Sequence, residues 1–457
     1  MEEVLAAPDA LAALVAEHGS ALNLHDFTPL ARNAAELVDA AAAHGVEARV
    51  FVARKANKTF GLVEAARAAG LGIDVASFAE LDQCLDAGMA ARDLIVSAAV
   101  KSEALARRAI RADVPLSLDN ADEAATAVGI ARDEGRVARV ALRLAVVAEG
   151  IAPTRFGLTP AAWLALLDTE LAAGGLRIEG VHFHLNGYSP DERAEALRQA
   201  CGMVDALRAR NIDVAYIDMG GGVPMRYLDD PSQWRAFWEG VAAGDDLTWR
   251  GDRLGLVDPA APRPSPAVYP YWQAEVRAGW LGRILTAPGS DGGTVAQMLN
   301  RRGLRLHCEP GRAVVDGCGM TVARVAFRKQ TSDGIGLVGL EMNRTQVRST
   351  SADFLVDPRW VRPRVSGVPG PPTTAFVVGA YCIEEELILR RRLSFPDGVA
   401  VGDLAVFPNT GGYLMHILES ASHQLPLARN LVRDPRTATG WRLDRIDDPG
   451  RAHPRSG

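Results

Sequence analysis

Eight short apolar segments, separated by alanine-rich amphipathic stretches, occupy the chain from Ala31 to Arg312 and constrain its fold more than any other feature. Their length and branched side chains are typical of buried strands, and the stretches between them have helical periodicity. Alternating strands and helices favour parallel βαβ units, and eight such strands favour closure into a (β/α)8 barrel over an open doubly wound sheet. The predicted strands are Arg49–Val52, Ile73–Ala76, Leu94–Val96, Pro115–Leu118, Val140–Leu144, Ile178–His184, Val214–Asp218 and Leu304–Glu309.

The sequence changes character after Arg312. Short segments rich in β-branched residues follow one another there, separated by Gly, Pro and Asp, which predicts a mostly antiparallel β domain of sandwich-like or barrel-like form. We therefore expect an α/β barrel over residues 26–312 and an all-β domain over residues 313–433 together with residues 1–25. Residues 434–457 are dense in Arg, Asp and Pro and are predicted to form a mobile tail.

One segment interrupts the barrel pattern. Residues 225–300 are far longer than an ordinary βα connection, and they are rich in Trp, Tyr, Pro and Asp. So many large rings are typical of a packed unit and not of a disordered one. We interpret this segment as an insertion within the barrel, either a lid or an interface subregion.

Length and composition narrow the function classes. A chain of 457 residues suits two domains, and 48% apolar with 23% charged residues is typical of a soluble globular protein. The net charge of −6 gives no basic surface for nucleic acid, and no apolar run has the length of a membrane span. The first twenty residues lack the basic start of a secretory signal, and the five cysteines show no metal-type pairing. These features favour a cytoplasmic protein that binds neither nucleic acid nor membranes.

A lysine shortly after the first predicted barrel strand is the leading candidate for chemistry. Lys55 lies three residues beyond the apolar run Val50–Val52. Active-site residues of parallel barrels project from the carboxyl ends of the strands. A lysine there can form a Schiff base with a carbonyl compound, provided that burial or a neighbouring cation lowers its pKa. The alternative from this segment alone is a solvated lysine in a βα loop.

Two further segments could bind an anionic aromatic ligand. Glu309 and Arg312 follow the eighth predicted strand, so the guanidinium could bind a phosphate while the carboxylate pairs with a ring nitrogen. A surface turn with a local ion pair is the alternative. The triplet Gly220–Gly222 follows another strand, and its bare amides could approach a phosphate, although a tight turn is the default explanation.

Histidine, cysteine and tyrosine residues complete the candidates. His182 and His184 share one face of the sixth strand, but no nearby Asp, Cys or His completes a set of ligands, so we predict no metal. One of the two rings could stack on a flat cofactor, and a core histidine is the alternative. Cys382 lies beside acidic residues, which suits a proton donor better than a nucleophile. Tyr413 follows a glycine turn that could present its phenol to a phosphate.

The order of these candidates resembles that of one known group. Together with the Gly-Leu-Gly-Ile-Asp-Val-Ala-Ser run at residues 70–77, they extend over roughly residues 25–425. The pattern resembles the fold-type III pyridoxal-phosphate-dependent amino-acid decarboxylases, the group of diaminopimelate and ornithine decarboxylases. The resemblance implies pyridoxal 5'-phosphate as cofactor and a small-molecule amino acid as substrate. It also implies an obligate homodimer, whose active sites combine the barrel of one chain with the β domain of the other.

The resemblance assigns a role to each candidate. Lys55 would hold the cofactor aldehyde, His184 would stack on the pyridine face, and Glu309 would pair with the pyridine nitrogen. Cys382 of the partner subunit would return a proton to Cα, so Lys55, His184 and Cys382 are the predicted catalytic residues. The other predicted cofactor contacts, most of them to the phosphate, are Gly220, Gly221, Gly222, Gly311, Arg312 and Tyr413.

The sequence also departs from this family. The Gly-Ser that usually follows the stacking histidine is replaced by Leu185–Gly187, so the serine contact to the phosphate is lost or supplied otherwise. Ile383 stands where an acidic residue usually follows the cysteine. The segment 225–300 is longer than in the familiar members. These departures bear on the substrate and not on the cofactor chemistry.

The predicted reaction is decarboxylation at Cα through a Schiff base and a quinonoid, because an acid at the ring nitrogen keeps that nitrogen protonated. Racemases that resemble this chain in the barrel carry an arginine at the ring nitrogen, so Glu309 favours decarboxylation over racemisation or epimerisation. A non-catalytic binding protein of this fold would have lost cofactor contacts, whereas Lys55, Glu309, Arg312 and Cys382 are all present.

Substrate choice in this family depends on a short segment of the β domain, which corresponds here to Glu341–Arg348. Arg344 and Arg348 suit a distal carboxylate or another anion better than an ammonium group. Glu384 is a third predicted substrate contact. We therefore expect an acidic or carrier-linked amino acid, and exposed surface arginines are the alternative.

Overall fold

A barrel and a curled sheet make up the structure, a computed structural model that describes residues 2–169, 171, 174–245, 247–255, 267–349 and 353–448. The strands are β1 (Leu22–His25), β2 (Ala48–Ala53), β3 (Gly72–Val75), β4 (Leu94–Val96), β5 (Leu116–Leu118), β6 (Ala138–Leu144), β7 (Leu176–Phe183), β8 (Tyr216–Asp218), β9 (Arg305–Cys308), β10 (Gly319–Gln330), β11 (Gly336–Leu340), β12 (Arg359–Val361), β13 (Thr373–Val378), β14 (Leu393–Phe395), β15 (Leu404–Pro408), β16 (Arg429–Arg433) and β17 (Trp441–Leu443).

The α-helices surround the barrel or extend from its loops. Among the described residues none of them is long and apolar enough to cross a membrane. They are α1 (Glu2–Leu5), α2 (Pro8–His18), α3 (Thr28–Ala42), α4 (Phe60–Ala68), α5 (Phe78–Asp86), α6 (Glu103–Arg111), α7 (Ala121–Asp133), α8 (Pro160–Asp168), α9 (Pro190–Arg208), α10 (Pro231–Ala243), α11 (Arg277–Thr286) and α12 (Val295–Arg301).

Strands β2 to β9 close into an eight-stranded parallel barrel, which confirms the predicted fold. Each strand pairs with the next one along the chain, and Ala48 of β2 pairs with Leu306 of β9 to complete the ring. Every residue of β3, β4, β5 and β8 is buried. Parallel strands covered on both faces need continuous apolar runs. The runs in the sequence therefore identified all eight strands.

Polar residues at the ends of the βα loops begin six of the helices. The side-chain oxygen of each accepts a hydrogen bond from the backbone N–H three residues later, which satisfies a donor that the helix itself cannot. These capping residues are Thr59, Ser77, Ser102, Asn120, Thr159 and Ser189. The caps fix the point at which each βα loop ends.

The segment after β8 differs from its prediction. Its last part forms α11 and α12, and α11 packs against both α9 and α3, so these helices complete the ring around the barrel. The interpretation of residues 225–300 as one insertion is therefore wrong from residue 277 onward. Helix α11 begins without a capping side chain at Val276, so no local signal separated it from the preceding aromatic segment. The inserted part is residues 225–276, of which 246 and 256–266 lie outside the described residues.

Aromatic rings pack the inserted part against both domains. The Tyr227 and Tyr271 rings lie 4.9 Å apart, and Tyr269 meets Tyr227 edge-to-face at 5.6 Å. Phe354 of the β domain meets Tyr271 at 6.0 Å, and Tyr188, in the loop after β7 of the barrel, meets Tyr269 edge-to-face at 5.4 Å. The inserted part therefore joins the carboxyl end of the barrel to the β domain.

The β domain is one curled nine-stranded sheet, mostly antiparallel as predicted. Its strand order is β14-β13-β11-β10-β1-β16-β17, with β15 also paired to β10 and β12 paired to β15. Strand β1 is antiparallel to β10 and parallel to β16, so a segment that precedes the barrel lies at the centre of this sheet. The 12-residue β10 reaches both halves of the sheet and contains an irregularity between Val325 and Phe327.

The prediction of a mobile tail from residue 434 is wrong as far as residue 448, and residues 449–457 lie outside the described part of the chain. Strand β17 pairs with β16. Asp444 is fully buried, and its carboxylate accepts hydrogen bonds from the N–H groups of Phe60 and Gly61 at 2.9 and 2.8 Å. These bonds cap α4, the helix that follows Lys55. Asp444, one of the charged residues on which the prediction of a tail rested, thus forms long-range hydrogen bonds.

Candidate active site

Lys55 lies at the carboxyl end of the barrel, in a single helical turn over Arg54–Ala56 directly after β2. Its Nζ atom is 3.6 Å from Oδ2 of Asp74, a buried residue of β3. The Asp74 carboxylate raises the pKa of Lys55 above its usual range. The free lysine therefore does not meet the condition of a lowered pKa for Schiff-base formation. Asp74 holds the free amine in its charged form.

Glu309 follows β9 and belongs to a group of buried polar side chains. Its Oε2 is 3.6 Å from Nε2 of His182, whose Nδ1 is hydrogen-bonded to Oγ of Ser117 at 2.5 Å. Burial raises the pKa of Glu309 well above its usual range, and the charges of Asp74 and Asp218 raise it further. Burial also raises the pKa of Asp218 to about 7. Glu309 is therefore a neutral acid that can give its proton to a ring nitrogen beside it.

The group also has the composition of a metal site. Ligand atoms of His182, Asp218 and Glu309 lie within 4.8 Å of one another. The argument that His182 lacks acidic neighbours is wrong, because both acids come from the next strands of the barrel. Metal binding requires deprotonated ligands, and the raised pKa values of the two acids oppose this. The cluster suits a ring nitrogen better than a cation.

His184 follows β7 and has the surroundings expected of a stacking ring. Its Nδ1 accepts a hydrogen bond from the Gly221 N–H at 3.4 Å, and its ring lies edge-to-face with Phe156 at 5.8 Å. Burial lowers the pKa of His184 to about 3, and the Lys55 charge adds to the effect. The imidazole is therefore neutral and can lie flat against another aromatic ring.

The glycine triplet after β8 lies where side chains do not fit. Gly220 has a φ of +65°, and a Cβ there would lie 2.6 Å from the carbonyl oxygen of Phe183. Gly222 has a φ of +76°, and a Cβ there would collide with the guanidinium of Arg193. The backbone therefore requires glycine at both positions. The Gly220 N–H donates to Oδ1 of Asp218 at 2.9 Å and the Gly221 N–H donates to His184, so Gly222 has the one amide of the triplet that makes no hydrogen bond among the described residues.

Tyrosine rings surround the guanidinium of Arg312. Its Nη1 donates to the Tyr227 hydroxyl at 2.7 Å and to the Gly412 carbonyl oxygen at 3.2 Å. Its guanidinium carbon lies 4.4 Å from the ring centroid of Tyr269 and 5.3 Å from that of Tyr413. No carboxylate in the described part of the chain pairs with Arg312, so its charge is available to an anion such as phosphate.

Tyr413 connects two of the predicted cofactor-binding segments. Its backbone N–H donates to the carbonyl oxygen of Ala56, the residue after Lys55, at 2.7 Å. Its hydroxyl lies so close to Gly311 that a Cβ there would collide with it. The lysine turn and the Arg312 segment are therefore held together through one β-domain residue, the first by its backbone and the second by its side chain.

The predicted substrate arginines have different environments. Arg344 already has a counter-ion, because its Nε lies 3.7 Å from the Glu386 carboxylate. Its Nη1 also donates to the Glu385 carbonyl oxygen at 2.8 Å. Arg348 donates from Nη2 to the Leu387 carbonyl oxygen, but its buried Nε has no hydrogen-bond partner among the described residues. No described carboxylate lies within ion-pair distance of Arg348. It is therefore the stronger candidate for an anionic ligand.

Cys382 and Glu384 lie on an exposed loop of the β domain that comprises residues 382–385. Among the described residues neither side chain forms a hydrogen bond or an ion pair. Ile383 between them is 45% exposed, which is unusual for an apolar side chain. A single chain therefore does not bring these two predicted residues together with the barrel site.

The sequence did not identify several residues of this site. In the sequence, Asp74 and Asp218 stand out only as parts of longer runs, and Arg143 and Tyr227 belong to no motif. Arg143 is buried in β6, with Nη1 3.2 Å from Oδ1 of Asp119. A charged residue inside an otherwise apolar strand was the available signal, because a buried charge needs a specific partner. No such signal existed for Tyr227.

The residues present fit pyridoxal phosphate. Buried polar atoms without a hydrogen-bond partner among the described residues include Asp74 Oδ2, His182 Nε2 and Glu309 Oε1. A polar ligand supplies the partners that such atoms need. The amine of Lys55 matches the aldehyde, the neutral acid matches the ring nitrogen, and the Gly222 amide with Arg312 matches the phosphate.

Comparisons with known proteins agree with this chemistry. A family profile described as the pyridoxal-binding domain of pyridoxal-dependent decarboxylases matches residues 31–242. The uncharacterized protein y4yA of Sinorhizobium fredii is 33% identical over 415 residues, which cover 90% of this chain and 87% of the relative. The diaminopimelate decarboxylase of Pseudomonas aeruginosa is 24% identical over 382 residues, which cover 81% of this chain and 77% of the relative.

Solved structures share the fold. The diaminopimelate decarboxylase of Helicobacter pylori, complexed with L-lysine, has a TM-score of 0.68 at 19% identity and covers 94% of this chain and 95% of its own. The diaminopimelate decarboxylase of M. jannaschii has a TM-score of 0.71 at 17% identity and covers 94% of this chain and 90% of its own. With these relatives and this site, the chain belongs to the fold-type III pyridoxal-phosphate-dependent amino-acid decarboxylase family, whose cofactor is pyridoxal 5'-phosphate.

Proposed function

We propose that this chain catalyses decarboxylation at Cα of an amino acid with an anionic distal group, in a site completed by a second copy of the chain. The observation that carries the proposal is an amine and a neutral acid at one end of the barrel. Lys55 follows β2 and Glu309 follows β9, two strands that pair side by side. The Lys55 charge acts on the Glu309 carboxyl group, so the two groups belong to one electrostatic site.

Each protein group has a separate task. When bound, pyridoxal phosphate supplies an aldehyde for the lysine amine and an electron-withdrawing ring that stabilises the charge left at Cα by loss of carbon dioxide. Asp74, 3.6 Å from Lys55 Nζ, would hold and orient the charged amine before it reacts. His184 would present its neutral ring to the pyridine face. Glu309 would hold the ring nitrogen in its protonated form by supplying a proton and pairing with it.

Glu309 also favours decarboxylation over racemisation. A protonated ring nitrogen withdraws electrons more strongly, which helps a bond to a carboxylate carbon break. An arginine in this place keeps its own proton and leaves the nitrogen unprotonated. Racemisation or epimerisation, and cofactor binding without catalysis, are the alternatives.

Incubation of the purified holoenzyme with amino acids of both configurations tests the proposal. The panel includes free acidic amino acids and amino acids attached to an anionic carrier, each labelled at the Cα carboxyl group. We expect labelled carbon dioxide from at least one member of these classes. Inversion of configuration without carbon dioxide would identify a racemase. A yellow protein that converts none of the panel would favour a binding protein.

Replacement of Arg348 by methionine is expected to raise KM for the true substrate about tenfold or more. This guanidinium has no carboxylate of its own among the described residues, so a substrate anion is its natural partner. Steady-state kinetics of Arg348→Met and Arg344→Met measure the difference. The smaller effect should come from Arg344→Met, because Arg344 is already paired with Glu386. Equal KM values for wild type and Arg348→Met would contradict an anionic substrate.

We also propose that Cys382 acts in the site of a partner subunit within a homodimer. Its thiol is exposed, and the adjacent Ile383 is 45% exposed. The neighbouring Tyr381 donates to the Ser420 carbonyl oxygen at 2.9 Å, which brings a segment containing the 43% exposed Leu418 close to this loop. Exposed apolar side chains around a functional group are typical of an interface.

Mixing Lys55→Ala chains with Cys382→Ala chains is expected to restore activity well above that of either variant alone. If each site combines the two residues from different chains, a hybrid dimer carries one site with both changes and one fully native site. Random mixing then gives about one quarter of wild-type activity. The restored activity is measured as the release of carbon dioxide by dimers purified from cells that co-express the two variants. Hybrid dimers with no restored activity would contradict shared sites.

A further inference from the structure

We propose that Arg193 positions the cofactor phosphate by organising the loop that replaces the usual Gly-Ser after the stacking histidine. Arg193 lies on α9 and has no assigned role in cofactor binding. The loop comprises residues 185–189 and follows His184. The inference rests on the cofactor of the proposed function, and not on its substrate or its reaction.

Arg193 is a fully buried cation. No carboxylate among the described residues forms an ion pair with it, and its Nε has no hydrogen-bond partner there. A buried charge without a counter-ion is strongly destabilised, so a nearby anion would stabilise it. Its four acceptors are backbone carbonyl oxygens, those of Leu185 at 3.4 Å, Gly187 at 2.7 Å, Ser189 at 3.2 Å and Gly221 at 3.4 Å.

These hydrogen bonds also orient amides. A peptide unit is planar and trans, so a carbonyl that points toward Arg193 turns the N–H of the same unit away from it. Three N–H groups turned in this way belong to Asn186, Tyr188 and Gly222. None of the three makes a backbone hydrogen bond in the described part of the chain. They are therefore available to the oxygen atoms of a phosphate, as in other anion sites built from backbone amides.

The same arginine joins the loop to the glycine triplet. A Cβ at Gly222 would collide with the guanidinium, so this contact requires glycine. Trp280 of α11 adds support, because its Nε1 donates to the Tyr188 carbonyl oxygen at 2.7 Å and its ring lies 5.3 Å from the guanidinium carbon. A loop fixed by a buried arginine thus stands in place of the lost serine contact.

Cofactor binding by Arg193→Met and Arg193→Lys tests the proposal. The full chain, freed of cofactor, is titrated with pyridoxal phosphate and separately with pyridoxal, which has the same aldehyde and ring but no phosphate. We expect Arg193→Met to raise Kd for pyridoxal phosphate about 10- to 100-fold and to leave Kd for pyridoxal within about twofold. Arg193→Lys should give an intermediate loss. Inorganic phosphate should compete with pyridoxal phosphate in the wild type and much less in the variants.

Arg198→Met is the matched control, because Arg198 lies on the same helix and pairs with Glu195 at 2.8 Å. It should bind both compounds like the wild type. If Arg193→Met loses affinity equally for both compounds, Arg193 has only a structural role and the proposal is wrong. Unchanged affinity for pyridoxal phosphate would also overturn the proposal. If Arg193→Met does not fold, the Arg193→Lys variant decides the question: its loss of affinity for pyridoxal phosphate should again exceed its loss of affinity for pyridoxal. These are binding measurements, so a failure to find decarboxylation leaves them valid.

Discussion

Replacement of Lys55 by alanine is expected to abolish covalent attachment of the cofactor and to lower kcat by about 10³-fold or more. The Lys55 amine lies at the carboxyl end of the barrel, 3.6 Å from the Asp74 carboxylate that orients it. An amine held in this place makes its reaction with the aldehyde effectively intramolecular. Borohydride reduction followed by digestion and mass spectrometry measures the attachment. The wild type should carry the cofactor on Lys55, and the variant should carry none.

Lys58→Ala is the control for this experiment. Lys58 lies in the same loop, but its Nζ is paired with Glu419 at 2.7 Å, so its charge is already used. The Lys58→Ala protein should stay yellow and should keep the label on Lys55. A label on a different lysine of the wild type, or undiminished turnover by Lys55→Ala, would contradict the role of Lys55.

The barrel could be predicted because its signals are local. Its strands are short apolar runs, and its helices begin at caps such as Ser102 and Asn120, so neither element needs a distant partner to be recognised. The C-terminal segment is the opposite case. Asp444 is buried because it caps α4, where Phe60 lies 384 residues away in the chain. The composition of the C-terminal segment does not reveal such a long-range contact. Its many charged residues therefore led to the wrong prediction of a mobile tail.

The sequence predicted several residues of the candidate site and their order along the chain, but not the pKa values of these residues. Lys55, Glu309 and Arg312 were identified because they follow strands, which the sequence alone provides. The pKa of Lys55 depends on Asp74, and that of Glu309 depends on burial and on Asp74 and Asp218, which come from other strands of the barrel. The sequence does not show how close the Asp74 carboxylate comes to the amine, so it could not predict the direction in which the Lys55 pKa is shifted.

The part of the site that holds Arg312 depends on the inserted segment. Tyr227 binds Arg312 at 2.7 Å, yet its place in the sequence is an irregular stretch with no strand or helix pattern. The same limit applies to Arg193, which occupies an ordinary helical position in the sequence. Its burial arises from the loop before α9 and the glycine triplet after β8. Contacts made by three separate segments cannot be derived from the pattern of any one of them.

Replacement of Glu309 by glutamine is expected to lower kcat by about 10²- to 10³-fold, with the cofactor still attached to Lys55. Glu309 is 3% exposed, and burial raises its pKa, so it carries a proton that it can transfer to the ring nitrogen. Glutamine keeps the size of the side chain but has no acidic proton. The charge left at Cα by loss of carbon dioxide is then less stabilised. Single-turnover release of carbon dioxide measures the chemical step directly.

Glu179→Gln is the matched change outside the site, because Glu179 of β7 pairs with Arg139 at 2.9 Å and does not face the buried acids. Its kcat should equal that of the wild type. A Glu309→Gln protein with kcat within about twofold of wild type would exclude Glu309 as the proton donor to the ring. Loss of the yellow colour in that variant would assign Glu309 to cofactor binding instead. Retained colour with slow release of carbon dioxide would distinguish a residue that acts in the chemical step from one that only holds the ring.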